Sequence, residues 1–157
     1  MIQNQLFLFL DFELFASPER HLQASDLSGE GQRGIFIIYE VDEAETERLA
    51  YLKKILAAAK IDIDKDVSAL SLVAGSSMHI NTSIFDPQVQ YILLFGVDPK
   101  QLCFNFQIPL YKPISYQNIT FLRVDAIGTI QQERIAGNNK KAGALWLALK
   151  QIFLPSA

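Results

Sequence analysis

Gly34-Ile-Phe-Ile-Ile-Tyr-Glu-Val41 is an apolar run of β-branched and aromatic residues with no polar face. A half-exposed strand alternates, whereas a strand covered on both sides does not, so this run predicts a buried parallel strand. Asp42 follows, three residues ahead of Glu45, a capping-box-like pair that sets acidic charge at the positive end of a helix. That helix places Leu49, Leu52, Ile55, Leu56 and Ala59 on one stripe, with Glu47, Arg48, Lys53 and Lys54 mostly outside it. Asp62 to Lys65 forms a polar turn, and Val67 to Ala74 reads as a second strand. Gln90-Tyr-Ile-Leu-Leu-Phe-Gly96 is a third, closed by Val97-Asp98-Pro99, and Ile119 to Val124 is a fourth. Between the last two, Leu102 to Tyr116 is aromatic and interrupted by Pro109 and Pro113, which confines it to a hairpin or a sheet edge. The alternation predicts an α/β fold, a small three-layer sandwich around a mostly parallel sheet of about four strands.

The fourth strand leads through a short polar segment into a closing helix that carries the single Trp. Ala142, Leu145, Trp146, Leu149, Ile152 and Phe153 form its apolar stripe, Asn138 or Asn139 caps its start, and Pro155 ends it. If the stripe is core, truncating Trp146 to Ala costs about 3–5 kcal/mol.

Upstream of the first strand, residues 3–16 read as a short helix that Ser17-Pro18 ends, and Ser25 to Gly34 as a polar connector. The organisation expected is an N-terminal apolar segment and linker over residues 1–33, then a single α/β domain over 34–157. Leu6, Phe7, Phe9, Leu10, Phe12 and Phe15 are too many large apolar groups for a one-sided helix of that length. Either the rest of the chain buries them or some of them meet another protein.

With 157 residues, half of them hydrophobic, the chain is long enough to bury a core without metal or disulfide. Seventeen acidic against 14 basic residues give a net charge of -3, and no long Lys/Arg cluster offsets it. A broad phosphate-binding face, and with it direct nucleic-acid binding, is not expected. Cys103 is the lone cysteine, which favours a reducing compartment. Leu6 to Leu10 lacks a basic flank and runs into Asp11 and Glu13, and no segment reaches about 18 apolar residues, so a cytoplasmic protein away from membranes is expected.

Reactive constellations are sparse. His21 and His79 stand far apart and Cys103 has no partner spacing, so neither a metal nor another cofactor is expected. Gly75-Ser76-Ser77 lacks the closing glycine of a nucleophile elbow. Gly29-Glu-Gly-Gln-Arg-Gly34 has dinucleotide-type spacing but precedes a strand instead of opening a helix. Two acids are better placed. Asp42, beside Glu43, follows the first strand, and ligands of open α/β sheets bind beyond strand carboxyl ends. Helix capping explains it without chemistry and is the preferred reading. Asp98, in Gly96-Val97-Asp98-Pro99, resembles the water-positioning Asp of the uracil-DNA glycosylase Gly-Gln-Asp-Pro loop, although a turn after a buried strand explains it too. If the chain is an enzyme, Asp42 and Asp98 are its candidate acids.

Several strings together resemble the psi subunit of bacterial DNA polymerase III. Val124-Asp-Ala-Ile127, the polar spacer and Lys141-Ala-Gly-Ala-Leu-Trp-Leu-Ala-Leu149 are similar to that family's closing pattern. Ile35 to Val41 with the helix through Leu52-Lys-Lys-Ile-Leu-Ala-Ala-Ala is similar to its first strand and helix, and Gln90 to Gly96 to its third strand. The resemblance covers about residues 34–153. It implies a catalytically inert relative of the uracil-DNA glycosylase fold, acting as an adaptor. It implies as partners the clamp-loader subunits, reached through the N-terminal segment, and a chi-like subunit held by the domain.

Overall fold

Residues 27–41, 45–73, 77 and 89–154 are described by a computed structural model. The protein is α/β, and its described residues form a six-stranded mixed sheet and three α-helices. The strands are β1 (Leu27–Ser28), β2 (Ile35–Val41), β3 (Val67–Val73), β4 (Tyr91–Phe95), β5 (Ile114–Tyr116) and β6 (Ile119–Val124). The helices are α1 (Glu45–Ala58), α2 (Ile127–Ile135) and α3 (Lys140–Phe153). Strand order is β1-β3-β2-β4-β6-β5. The four expected strands form the parallel centre, β3-β2-β4-β6.

The sheet is larger than the four strands expected, because two short antiparallel strands complete its edges. β5 comes from the Pro-interrupted stretch, as an edge element should. β1 comes from the run expected to be a connector. From Leu27 onward that run is stitched to the sheet: Glu30 and Gln32 donate backbone N–H groups to the carbonyls of Asp64 and Lys65 at 2.9 and 2.8 Å. Gly29 makes this approach possible. At φ +90° a Cβ there would sit 2.2 Å from the Val67 carbonyl oxygen, a position open only to glycine.

Unbroken apolar strands bury both faces. Ile37, Tyr39, Leu93, Phe95, Leu122 and Val124 face the helices, meeting Leu52 and Leu56 of α1, Ile130 of α2 and Leu145 and Leu149 of α3. Phe36, Ile38, Leu70, Ile92, Leu94 and Phe121 face the other way, covered by Val97, Leu102, Phe104 and Ile108. Among the described residues all three α-helices lie on the first face. The connection from β2 to β3 runs through α1 on that face, and the connection from β4 to β6 moves the opposite way along the sheet over the other face. Opposite directions on opposite faces give both crossovers one hand.

The polar spacer before the terminal helix is itself a helix, α2. Only Ile127 and Ile130 turn inward from it, and Ile135 is exposed, so nine residues carry too faint a stripe to be recognised. In α3 the expected stripe is present, with Leu145, Ala148 and Leu149 buried and Ala142, Trp146, Ile152 and Phe153 packed partly against them. Asn138, not Asn139, supplies the polar oxygen at its start, accepting from the Lys140 N–H at 3.0 Å. Trp146 is only half-buried, beside a groove between helices. Trp146→Ala is therefore expected to cost about 1–3 kcal/mol in urea unfolding, below the value for a fully buried ring. The expected helix over residues 3–16, Pro155 and the Asp42 cap lie outside the described residues.

Candidate functional site

In an open α/β sheet the crevice for ligands lies beyond the carboxyl ends of the strands, where successive connections depart in opposite directions. Here that point is between β2 and β4. The loop after β2, with Asp42, lies outside the described residues, as do His21, His79 and the apolar candidates Leu6, Phe7, Phe9, Leu10, Phe12 and Phe15. The ends of β4 and β6 are described, and each carries a carboxylate.

Beyond β4, Gly96 turns the chain at φ +72° and donates its N–H to the Val124 carbonyl at 3.0 Å. Asp98 then starts a one-turn 3-10 helix, Pro99–Leu102. Its Oδ1 accepts the Lys100 N–H at 2.9 Å, and Gln101 Oε1 accepts the Asp98 N–H at 2.9 Å, a complete capping box. Asp98 Oδ2 lies 3.9 Å from Arg123 Nη2. The turn reading of Asp98 is therefore the one its contacts support. Beside it opens a cleft of about 580 Å³, lined in part by Asp98, Lys100, Phe106, Leu110 and Arg123. Phe106 is the aromatic surface of this cleft. Its ring already stacks on Phe104 and Tyr116, with centroids 5.3 and 4.6 Å away.

Beyond β6 lies a second cluster that sequence reasoning missed. Tyr111 donates its hydroxyl to Asp125 Oδ2 at 2.6 Å, and its backbone N–H to the Arg123 carbonyl at 2.7 Å. Lys141 Nζ stands 3.5 Å from Asp125 Oδ2 and 3.6 Å from Glu133 Oε1. Asp125 is the first residue after a strand, the same signal that singled out Asp42, so the rule could have found it. Tyr111 and Lys141 could not have been found this way, because they reach the cluster from elements distant in sequence.

No family model and no curated protein matches this chain.

Burial and the Asp125 carboxylate push the Tyr111 phenol well above its ordinary value. At the end of β2, burial and the Glu45 carboxylate, which accepts from Tyr39 at 3.3 Å, push Tyr39 up to about 12. Both shifts favour the neutral phenol in the folded state, so the fold binds more protons than the unfolded chain above the unfolded phenol pKa. Stability is thus fully present below about pH 10 and is lost as pH rises through the folded values. Thermal midpoints measured against pH should fall across this alkaline range, and Tyr39→Phe with Tyr111→Phe should flatten the fall.

Chemically, the Tyr111–Asp125–Lys141 chain joins a donor, an acceptor and a cation that satisfy one another. Asp98 caps a helix through Oδ1, and its Oδ2, on a half-exposed side chain, lies 3.9 Å from Arg123 Nη2. Among the described residues no group of three or more His, Cys, Asp or Glu side chains could hold a metal ion, and no helix is long and apolar enough to cross a membrane.

Proposed function

We propose that this chain is a non-enzymatic adaptor similar to the psi subunit of bacterial DNA polymerase III, built as a small three-layer α/β sandwich of the uracil-DNA glycosylase-like class. The observation that carries this reading is the engagement of Asp98. A glycosylase-like acid must hold its carboxylate toward water and substrate, whereas this one commits Oδ1 to a helix cap and sets Oδ2 within ion-pair distance, 3.9 Å, of Arg123. The strings that resemble the psi family add to it, as does the parallel centre of four strands. The partners are clamp-loader subunits, engaged by the N-terminal apolar segment with Leu6, Phe7, Phe9, Leu10, Phe12 and Phe15, and a chi-like subunit engaged by the domain.

The test is capture of clamp-loader subunits by the full chain from its own host, identified by mass spectrometry. They should appear in the eluate, and removal of residues 1–16 should abolish the capture while circular dichroism stays that of the folded domain. An eluate holding other proteins but none of these subunits overturns the reading.

A second reading, a uracil-DNA glycosylase-like or other hydrolase acting at the strand ends, draws on one feature: the cleft beside Asp98 also contains Phe106. Asp98→Asn separates the two. The amide keeps an oxygen for the cap but cannot serve as a base, so a hydrolase should lose about 100-fold or more in rate, while an adaptor should capture its partners unchanged. Release of uracil from single-stranded DNA by the unaltered chain would favour the hydrolase.

A further inference from the structure

On the helix face, α1, α2 and α3 leave a groove of about 200 Å³ that shares no lining residue with either strand-end cluster. Its apolar surface comes from Ile55, Ala58, Ala142 and the half-buried Trp146, with the Tyr51 ring beside them. Two cations complete the lining, Lys54 from α1 and Arg134 from α2, and no carboxylate does. Among the described residues neither cation is held in an ion pair, in a chain whose net charge is -3. The wall also holds a hydroxyl, Tyr51 Oη, that is sealed from solvent and has no hydrogen-bond partner among the described residues. An apolar floor with two cations and no acid selects for one kind of occupant.

We propose that this groove is a binding site for a small amphipathic anion, a carboxylic acid with a single aromatic or branched-alkyl body. The size agrees, since an apolar cavity of about 150 Å³ accepts benzene, and the additional space accommodates a carboxylate directed to Lys54 and Arg134. The apolar body lies against Trp146 and Ala142. Ionic attraction at exposed cations is modest, so the charge confers selectivity while burial of the ring supplies most of the affinity.

The single Trp is in the groove and makes the test direct. The full chain is titrated with 3-phenylpropionate, its neutral amide and phenethylammonium, following Trp146 emission and, independently, ligand-observed NMR. The acid should give a saturable change with a dissociation constant on the order of 1 mM. The amide should bind about fivefold more weakly and the ammonium more weakly still. Lys54→Gln with Arg134→Gln should bring the acid down to the amide's affinity and leave the amide unchanged. Ala58→Leu, at an exposed position on the groove rim, should block all three while circular dichroism stays native. No saturable signal by about 20 mM, equal affinity for all three probes, or indifference to the two Gln substitutions overturns the proposal.

Discussion

Phe121→Ala is expected to destabilise the protein by about 3–5 kcal/mol, a fall in thermal midpoint on the order of 10 °C for a domain of this size. Phe121 is fully buried in the penultimate strand of the sheet, on the face opposite the three described α-helices. Its ring stands edge-on to Phe104 and Phe106, with centroids 5.8 and 5.0 Å away, at 81° and 71°. Such pairs are worth about 0.5–1.5 kcal/mol beyond area burial, and alanine removes both. The site collapses poorly, because the segment that covers it is held by the Phe104–Phe106–Tyr116 stack. Phe121→Leu retains most of the volume and should cost less than about 1.5 kcal/mol. Urea unfolding of the two variants checks the difference. Trp146, on the opposite face, should keep its native emission in both before the transition.

The second large effect is at Gly96. Gly96→Ala should cost about 3 kcal/mol or more, from two sources that add. The backbone there is left-handed at φ +72°, which costs an L-residue roughly 1–2 kcal/mol. The added Cβ would also stand 2.7 Å from the Ala126 Cβ and 2.8 Å from its Cα. Those atoms belong to the junction that starts α2, so they cannot swing aside as a long side chain would. Two other glycines serve as controls. Gly137 has φ +94° with open space around it, so Gly137→Ala should show the backbone cost alone. Gly143 lies inside α3 with nothing within 4 Å, and Gly143→Ala should stabilise by about 0.5–1 kcal/mol. Chemical denaturation of the three variants should give two losses of unequal size and one gain.

Much of the centre of the fold was legible in the chain. Ile35 to Val41 and Tyr91 to Phe95 are apolar without alternation because both faces of those strands are covered, and Leu52 with Leu56 repeats at one helical turn because one side faces the sheet. The edges were less legible. Leu27–Ser28 is too short for any period to show, and its pairing rests on backbone hydrogen bonds that no side-chain pattern records. α2 was hidden because two inward isoleucines do not make a stripe.

The strand ends divide the same way. Asp98 could be marked as a turn residue or as an acid, and both readings used the same four letters. Its capping box, with the Arg123 guanidinium 3.9 Å from its other oxygen, shows the turn role that the letters alone left open. Asp125 carried the strand-end signal as plainly, yet its role depends on Tyr111 and Lys141, which approach from either side in sequence.

By itself the sequence determined that this is an α/β protein with buried parallel strands, because the period of apolar residues reports how each element meets its immediate surroundings. Only the tertiary structure decided that all three described helices share one face, that the former connector forms a sheet edge, that Trp146 borders a groove with two cations, and that Asp98 is a cap. Those outcomes depend on which distant residue fills the space beside each side chain, and no local pattern contains that information.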